Sequence, residues 1–198
     1  FARAGADPEI LVIRNLTPAD VTPSCEALVK AIGESQIVML PGGFSGGDEP
    51  DGSAKFIASF FRSPEVTEAV RRLLQQRDGL MLGICNGFQA LIKLGLVPYG
   101  DIRPITAYDP TLTFNTIGRH QSMLVRTRVA STGSPWLSHC DAGSEYEIAI
   151  SHGEGRFVAP QQVLDKLIAN GQVATQYVDL EGQPTMDQRY NPNGSVLA

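Results

Sequence analysis

The segment Leu80-Met81-Leu82-Gly83-Ile84-Cys85-Asn86-Gly87-Phe88-Gln89 constrains the fold more than any other part of the chain. It opens as a short apolar run, passes through Gly-x-Cys-x-Gly, and continues to about Leu94 with the apolar spacing of a helix. A strand that turns into a helix through one residue flanked by glycines is a nucleophile elbow, here with cysteine at its tip. Glycines are needed because such a tight turn leaves no room for side chains on either side. The thiol is lifted above the strand end and meets the positive end of the helix dipole, which favours the thiolate. Cys85 is therefore the candidate nucleophile. Free cysteines mostly pack as small apolar side chains, and that reading is kept for Cys25 and Cys140, which lack such a setting.

The flanking pattern is that of an α/β protein. Glu9–Ile13 and Ile37–Leu40 are short apolar runs that read as buried strands, and Thr17-Pro18 and Thr22-Pro23 punctuate the loop between. Ser24 is expected to cap a helix that carries Leu28, Val29 and Ile32 on one face and ends at Gly33. Further helices are expected over Ala54–Phe61, over Pro64–Gln76 with Pro64 first after Ser63, and over Asn86–Leu94. Phe1–Gly5 reads as a last helical turn closed by glycine. Strands that are apolar throughout and alternate with helices predict a doubly wound, mostly parallel sheet covered on both faces. In the second half, Leu112–Asn115, Met123–Val129 and Glu147–Ser151 read as strands without helices between them, which predicts appended antiparallel strands. A helix over Gln161–Ala169 and a strand over Val173–Val178 complete the pattern.

Composition excludes several classes of function. With 198 residues and 42% apolar content the chain has the material for one globular domain, not a disordered one. Sixteen basic against 21 acidic residues, a net charge of −5, argue against a nucleic-acid partner. No apolar run approaches the roughly 18 residues of a membrane span, so no membrane partner is expected and the cytoplasm is the expected location. The three cysteines form no C-x-x-C spacing, which speaks against a disulfide framework and against a metal site.

Two more segments carry chemistry. Pro41-Gly42-Gly43-Phe44-Ser45-Gly46-Gly47-Asp48 follows a predicted parallel strand, at the sheet edge where α/β proteins gather ligands. Its backbone N–H groups, with that of Asn86, suit an oxyanion hole beside Cys85. The loop lacks the lysine of a phosphate cradle, and Asp48, Glu49 and Asp51 would repel phosphate. Ser151-His152-Gly153-Glu154-Gly155-Arg156 places an imidazole and a carboxylate close in sequence, the material of a Cys-His-Glu triad or of an ordered surface loop.

Taken together in this order, PGGFSGGD, GICNGFQ and SHGEGR resemble the class I glutamine amidotransferase domain of phosphoribosylformylglycinamidine synthase, over essentially the whole chain. The resemblance implies a flavodoxin-like, doubly wound fold and a glutaminase that hydrolyses L-glutamine through a cysteine thioester. It implies that ammonia passes to a synthetase domain or subunit, which converts formylglycinamide ribonucleotide to the amidine with ATP and Mg; the glutaminase domain itself needs no cofactor. On the same pattern Cys85 is the nucleophile, Gly43 and Asn86 form the oxyanion hole, and Gln89 and Asn115 bind substrate.

The departures from the pattern are equally specific. The family's catalytic His-x-Glu pair follows an N-P-N-G-S turn, which here is Asn191–Ser195 near the end of the chain. The triad His and Glu are therefore expected outside this chain, with His152 and Glu154 as the fallback pair. The family's first strand, with its F-P-G-x-N turn, is likewise expected to be absent, and the isolated chain to have little glutaminase activity. Gly46 stands where the family often has a bulky aromatic. Two other readings fit the same residues: a DJ-1/PfpI-like cysteine hydrolase in which His152 serves Cys85, and a non-catalytic interaction module on the same fold.

Overall fold

A computed structural model describes residues 1–43, 54–195 and 197. They form two compact units, Phe1–Arg103 and Pro104–Ala198.

In the first unit, Thr17 and Pro18 begin a helix instead of closing a loop. Helix α1 spans Pro18–Glu34. The Thr17 N–H and hydroxyl both donate to the Asp20 carboxylate at 2.8 Å, and a proline in the first turn has no N–H to satisfy. Ser24, expected as the cap, lies inside α1, where its hydroxyl accepts from Arg14 N–H at 3.0 Å and donates to the Arg14 carbonyl at 2.8 Å. The strand expected over Glu9–Ile13 is not formed. Leu11 and Ile13 pack on the core while Ile10 and Val12 are 89% and 71% exposed. The segment thus has the alternation of a strand but, among the described residues, no ladder partner.

Strand β1 (Ile37–Leu40) pairs in parallel with β2 (Leu80–Gly83), Ile37 opposite Leu80 and Leu40 opposite Gly83. Between them lie α2 (Lys55–Phe61) and α3 (Pro64–Arg71), the latter started from Ser63 and continued by a π-helical turn to Gln76. After β2 come α4 (Asn86–Leu94) and a short kinked segment, α5 (Leu96–Tyr99). Leu28 and Ile32 of α1, Leu40 of β1, Phe61 of α2, Val66 and Val70 of α3, and Leu91 and Leu94 of α4 share one core. Each such side chain contributes about 1.5–3 kcal/mol by leaving water. The parallel pairing seen among the described residues is this one pair of strands, narrower than the doubly wound sheet expected, and it flanks the elbow.

Arginines fasten the helix ends. The Arg71 guanidinium donates to both Asp101 oxygens, at 2.7 and 3.1 Å, and to the Ile102 carbonyl at 3.2 Å. Its hydrogen bonds and charge hold the Asp101 carboxyl below the usual carboxylate range. Arg77 donates to the carbonyls of Ile32 and Ser35 at the end of α1, favourable to its dipole.

The second unit is antiparallel in its described strand pairs. β3 (Thr111–Thr113) pairs with β6 (Arg156–Val158), a strand that sequence patterning did not suggest. β4 (Gln121–Val129) lies between β5 (Glu145–His152) and β7 (Thr175–Tyr177). Along β4, Val125, Thr127 and Val129 are buried while Arg126 and Arg128 are only half-buried, the period of two that gives a sheet one inner face. Helix α6 covers Gln161–Ala169, as its apolar spacing predicts.

Asp101→Asn is expected to lower stability near neutral pH by less than about 1 kcal/mol, as befits a partly exposed pair. A carboxyl depressed in the folded state adds stability above its unfolded value of about 3.9 and loses it as pH falls through the folded value. Urea unfolding should therefore show the difference between variant and parent shrinking as the solution is acidified from about pH 7 towards about pH 3.

Candidate active site

β2 ends at Gly83 and α4 begins at Asn86, leaving Cys85 as the helix N-cap at φ 53° and ψ −112°. A non-glycine residue held at positive φ stores about 1–3 kcal/mol of strain, which surrounding contacts must hold in place. Those contacts are backbone hydrogen bonds: Ile84 N–H to Leu40 O at 3.0 Å, Gly87 N–H to Ile84 O at 2.9 Å, and Gln89 N–H to Cys85 O at 3.0 Å. The glycines on either side have no alternative. A Cβ on Gly83 would lie 2.7 Å from the Gly87 carbonyl and from Leu91 Cδ1, and a Cβ on Gly87 would run into the Leu40 carbonyl oxygen. Cys85 itself is exposed.

The loop after β1 arrives beside the thiol. A Cβ on Gly42 would lie 3.0 Å from Cys85 Cβ and 3.8 Å from its Sγ. Gly43 follows at φ 145°, a conformation that favours glycine. Asn86 is buried as the first residue of α4. Half-buried Gln89 lies one turn further on. The structure thus gathers Gly42, Gly43, Cys85 and Asn86 where the parallel strands end. The remaining loop residues, Phe44 to Asp48 with Gly46, and Glu49 and Asp51, lie outside the described residues.

Asn115, His152 and Glu154 belong to the second unit. Asn115 is buried just after β3, and its amide is engaged on every side. Nδ2 donates to the carbonyls of His152 at 2.9 Å and Arg119 at 3.3 Å, while Oδ1 accepts from Gly155 N–H at 3.2 Å and faces His152 Nδ1 at 3.0 Å. The two carbonyls fix which end of the amide is nitrogen, so Oδ1 must accept from the ring and His152 carries its proton on Nδ1. That is the atom a Cys-His-Glu triad would turn to Glu154. Half-buried His152 is held below the ordinary histidine range by burial first and by the charge of His120 second. Gly155 lies directly against the imidazole, where any Cβ would overlap the ring. The Asn115 side chain, expected to bind substrate, has no donor or acceptor left to offer one.

The N-P-N-G-S turn also builds this part of the unit. Asn191 and Asn193 are 0% and 1% exposed. Asn193 Nδ2 donates to the Gly155 carbonyl at 3.0 Å, its Oδ1 accepts from Ser195 N–H at 2.7 Å, and its carbonyl accepts from Thr116 N–H at 3.2 Å. Burial pushes the Tyr177 phenol up to about 12. Asn191 Nδ2 donates to the carbonyls of Thr185 and Ser195 at 2.7 and 2.8 Å. The sequence shows Asn191–Ser195 only as a turn; the burial of both asparagines is what the structure adds.

The family model of the CobB/CobQ-like glutamine amidotransferase domain matches residues 1–198. The chain belongs to this family. Among curated relatives, the phosphoribosylformylglycinamidine synthase subunit PurQ of Salinibacter ruber is 37% identical over 166 residues, 84% of this chain and 63% of that protein. The PurQ subunit of Symbiobacterium thermophilum is 39% identical over 159 residues, 80% of this chain and 60% of that protein. A solved structure of PurLQS from Thermotoga maritima superposes with a TM-score of 0.58 at 25% identity, covering 83% of this chain and 62% of that one. The chain therefore spans about three-fifths of the length of these relatives.

Asn115→Ala should strand the Gly155 N–H and the His152 carbonyl and cost roughly 1–3 kcal/mol, read from thermal unfolding. In the parent domain, nitrogen-15 NMR should find the His152 proton on Nδ1 near neutral pH and titration below the ordinary value of about 6.5. A histidine depressed in the folded state favours folding above its unfolded value, so this contribution fades as pH falls from about 6.5 through the folded value.

Proposed function

We propose that this domain is a glutaminase that hydrolyses L-glutamine through a γ-glutamyl thioester on Cys85 and supplies ammonia to a synthetase partner. The exposed Cys85 on a strained elbow, with the Gly42-Gly43 loop against it, is the observation that carries this reading. In it the thiolate attacks the γ-carbonyl carbon, and the N–H groups of Gly43 and Asn86 receive the developing oxyanion. Collapse of the tetrahedral intermediate expels ammonia with a proton delivered to the leaving nitrogen, and water then hydrolyses the thioester to glutamate and free Cys85. Gln89, in the first turn of α4, helps to hold the glutamine.

The relatives that are subunits of phosphoribosylformylglycinamidine synthase support the finer assignment of the acceptor. The synthetase partner then converts formylglycinamide ribonucleotide to formylglycinamidine ribonucleotide, a step of purine biosynthesis in the cytoplasm. The reading places ATP and Mg on that partner; among the described residues of this chain no three His, Cys, Asp or Glu side chains cluster to hold a metal ion. Among the described residues there is also no helix long and apolar enough to cross a membrane. The general base in this reading is a His-x-Glu pair other than His152 and Glu154, because His152 Nδ1 is held by Asn115. Asn115 then shapes a loop without touching substrate.

A diazo-ketone analogue of glutamine should alkylate Cys85 of the parent domain and leave Cys85→Ala unmodified, as read by mass spectrometry of the peptide. Reaction of Cys85 with general thiol reagents but not with the analogue would overturn the assignment. Reconstituted with a synthetase partner, Cys85→Ala should abolish glutamine-dependent amidine formation while ammonia-dependent formation continues, measured with each nitrogen source in turn.

A further inference from the structure

Three glycines approach the elbow closely, and they do so for different reasons. Gly83 and Gly87 touch backbone: a Cβ on either would meet the Gly87 carbonyl or the Leu40 carbonyl, atoms that cannot move without opening the junction of β1, β2 and α4. Gly42 is not at positive φ, so its backbone would accept an alanine without strain. Its nearest neighbours are Cys85 Cβ at 3.0 Å, the Ile84 carbonyl at 3.4 Å and Cys85 Sγ at 3.8 Å. A methyl group there would press on the nucleophile before anything else. Cys85 Cβ moves only with its own Cα, so the contact is relieved by a tilt of a few tenths of an ångström at the tip of the elbow, which carries Sγ with it.

We propose that Gly42 is a positioning residue: its bare Cα is the wall against which the Cys85 side chain is set, and the thiol is aligned for attack only while that wall stays flat. The proposal rests on the reading of Cys85 as the nucleophile and deepens it. A side chain at position 42 displaces Cβ and Sγ together from the place they hold at the elbow tip. Misplacement of a reacting atom by about an ångström costs on the order of 10²-fold in rate. A shift of a few tenths is expected to cost about tenfold in the step that needs alignment and little in a step that does not.

The test compares the parent domain with Gly42→Ala, Gly87→Ala and Gly33→Ala, the last a control with nothing within 4 Å of a new Cβ and no positive φ. Saturation kinetics of Cys85 labelling by the diazo-ketone analogue give its binding and inactivation constants separately; iodoacetamide, which needs only an exposed thiol, reports access. Gly42→Ala should melt within a few degrees of the parent and bind the analogue as well. It should inactivate about tenfold or more slowly and react with iodoacetamide at an unchanged rate, while Gly33→Ala matches the parent throughout. An unchanged inactivation constant in Gly42→Ala overturns the proposal. A collapse of stability like that expected of Gly87→Ala, or equal slowing with both reagents, overturns it as well by making Gly42 a folding requirement. If the parent itself takes up iodoacetamide but not the analogue, the nucleophile reading fails, and the proposal with it.

Discussion

The Leu40 carbonyl accepts the Ile84 N–H at 3.0 Å and occupies the space that a side chain on Gly87 would fill. The end of β1, the end of β2 and the first turn of α4 thus meet at one backbone atom. The packing of α4 and the conformation of the elbow follow from keeping that junction closed. α4 lies close enough to the strands for Leu91 and Leu94 to enter the core with Leu40. The chain between Gly83 and Gly87 must then turn so sharply that Cys85 is forced to positive φ. The strain at the nucleophile is therefore a consequence of helix-to-strand packing, and the aliphatic burial around it, at about 1.5–3 kcal/mol per side chain, is large enough to hold it.

The second unit reaches order by a different route. Where the first closes a junction with glycines and aliphatic side chains, the second closes its loops with buried asparagines. Asn115 and Asn193 each hold the Gly153–Gly155 loop, one through the Gly155 N–H and the other through the Gly155 carbonyl. An amide has two donor and two acceptor positions, so a buried asparagine joins more backbone groups than a hydroxyl does and is costly to leave unsatisfied. Thr116 is tied to the same turn by its N–H, and Gly194 stands against its side chain, where a Cβ would collide.

What was legible in the sequence depended on whether the signal was local. The helices Asn86–Leu94 and Gln161–Ala169 appear with the boundaries that apolar spacing suggests, and the Gly-x-Cys-x-Gly elbow appears with the contacts that demand its glycines. Apart from β6, the strands of the second half lie within a few residues of their expected bounds, and β4 shows its alternation along its own length. The failures turned on which partner a residue finds, near in the chain at the start of α1 and far along it for the strands. Glu9–Ile13 has the composition of a strand but no ladder among the described residues. Ser24 has the chemistry of a cap but reaches back to Arg14, while Thr17, closed on Asp20, starts the helix seven residues earlier than expected. β6 is too short to show a period, and only β3 beside it makes it a strand.

His152-Gly153-Glu154 shows why spacing misleads at a site as well as in a fold. Two residues apart on one strand, a histidine and a glutamate would project from the same face and lie near each other. β5 ends at His152, so that period stops before Glu154 is reached, and the path of the loop is set by hydrogen bonds from Asn115 and Asn193. The same bonds give His152 Nδ1 a neutral acceptor in Asn115. An amide in that place fixes the ring and its tautomer but brings no negative charge to stabilise an imidazolium, whereas a triad's carboxylate does both. Burial, which lowers the affinity of His152 for a proton, acts in the same direction. Geometry and electrostatics therefore agree in making this imidazole a neutral fixture of its loop, and they do so through residues 37 and 41 positions away in the sequence.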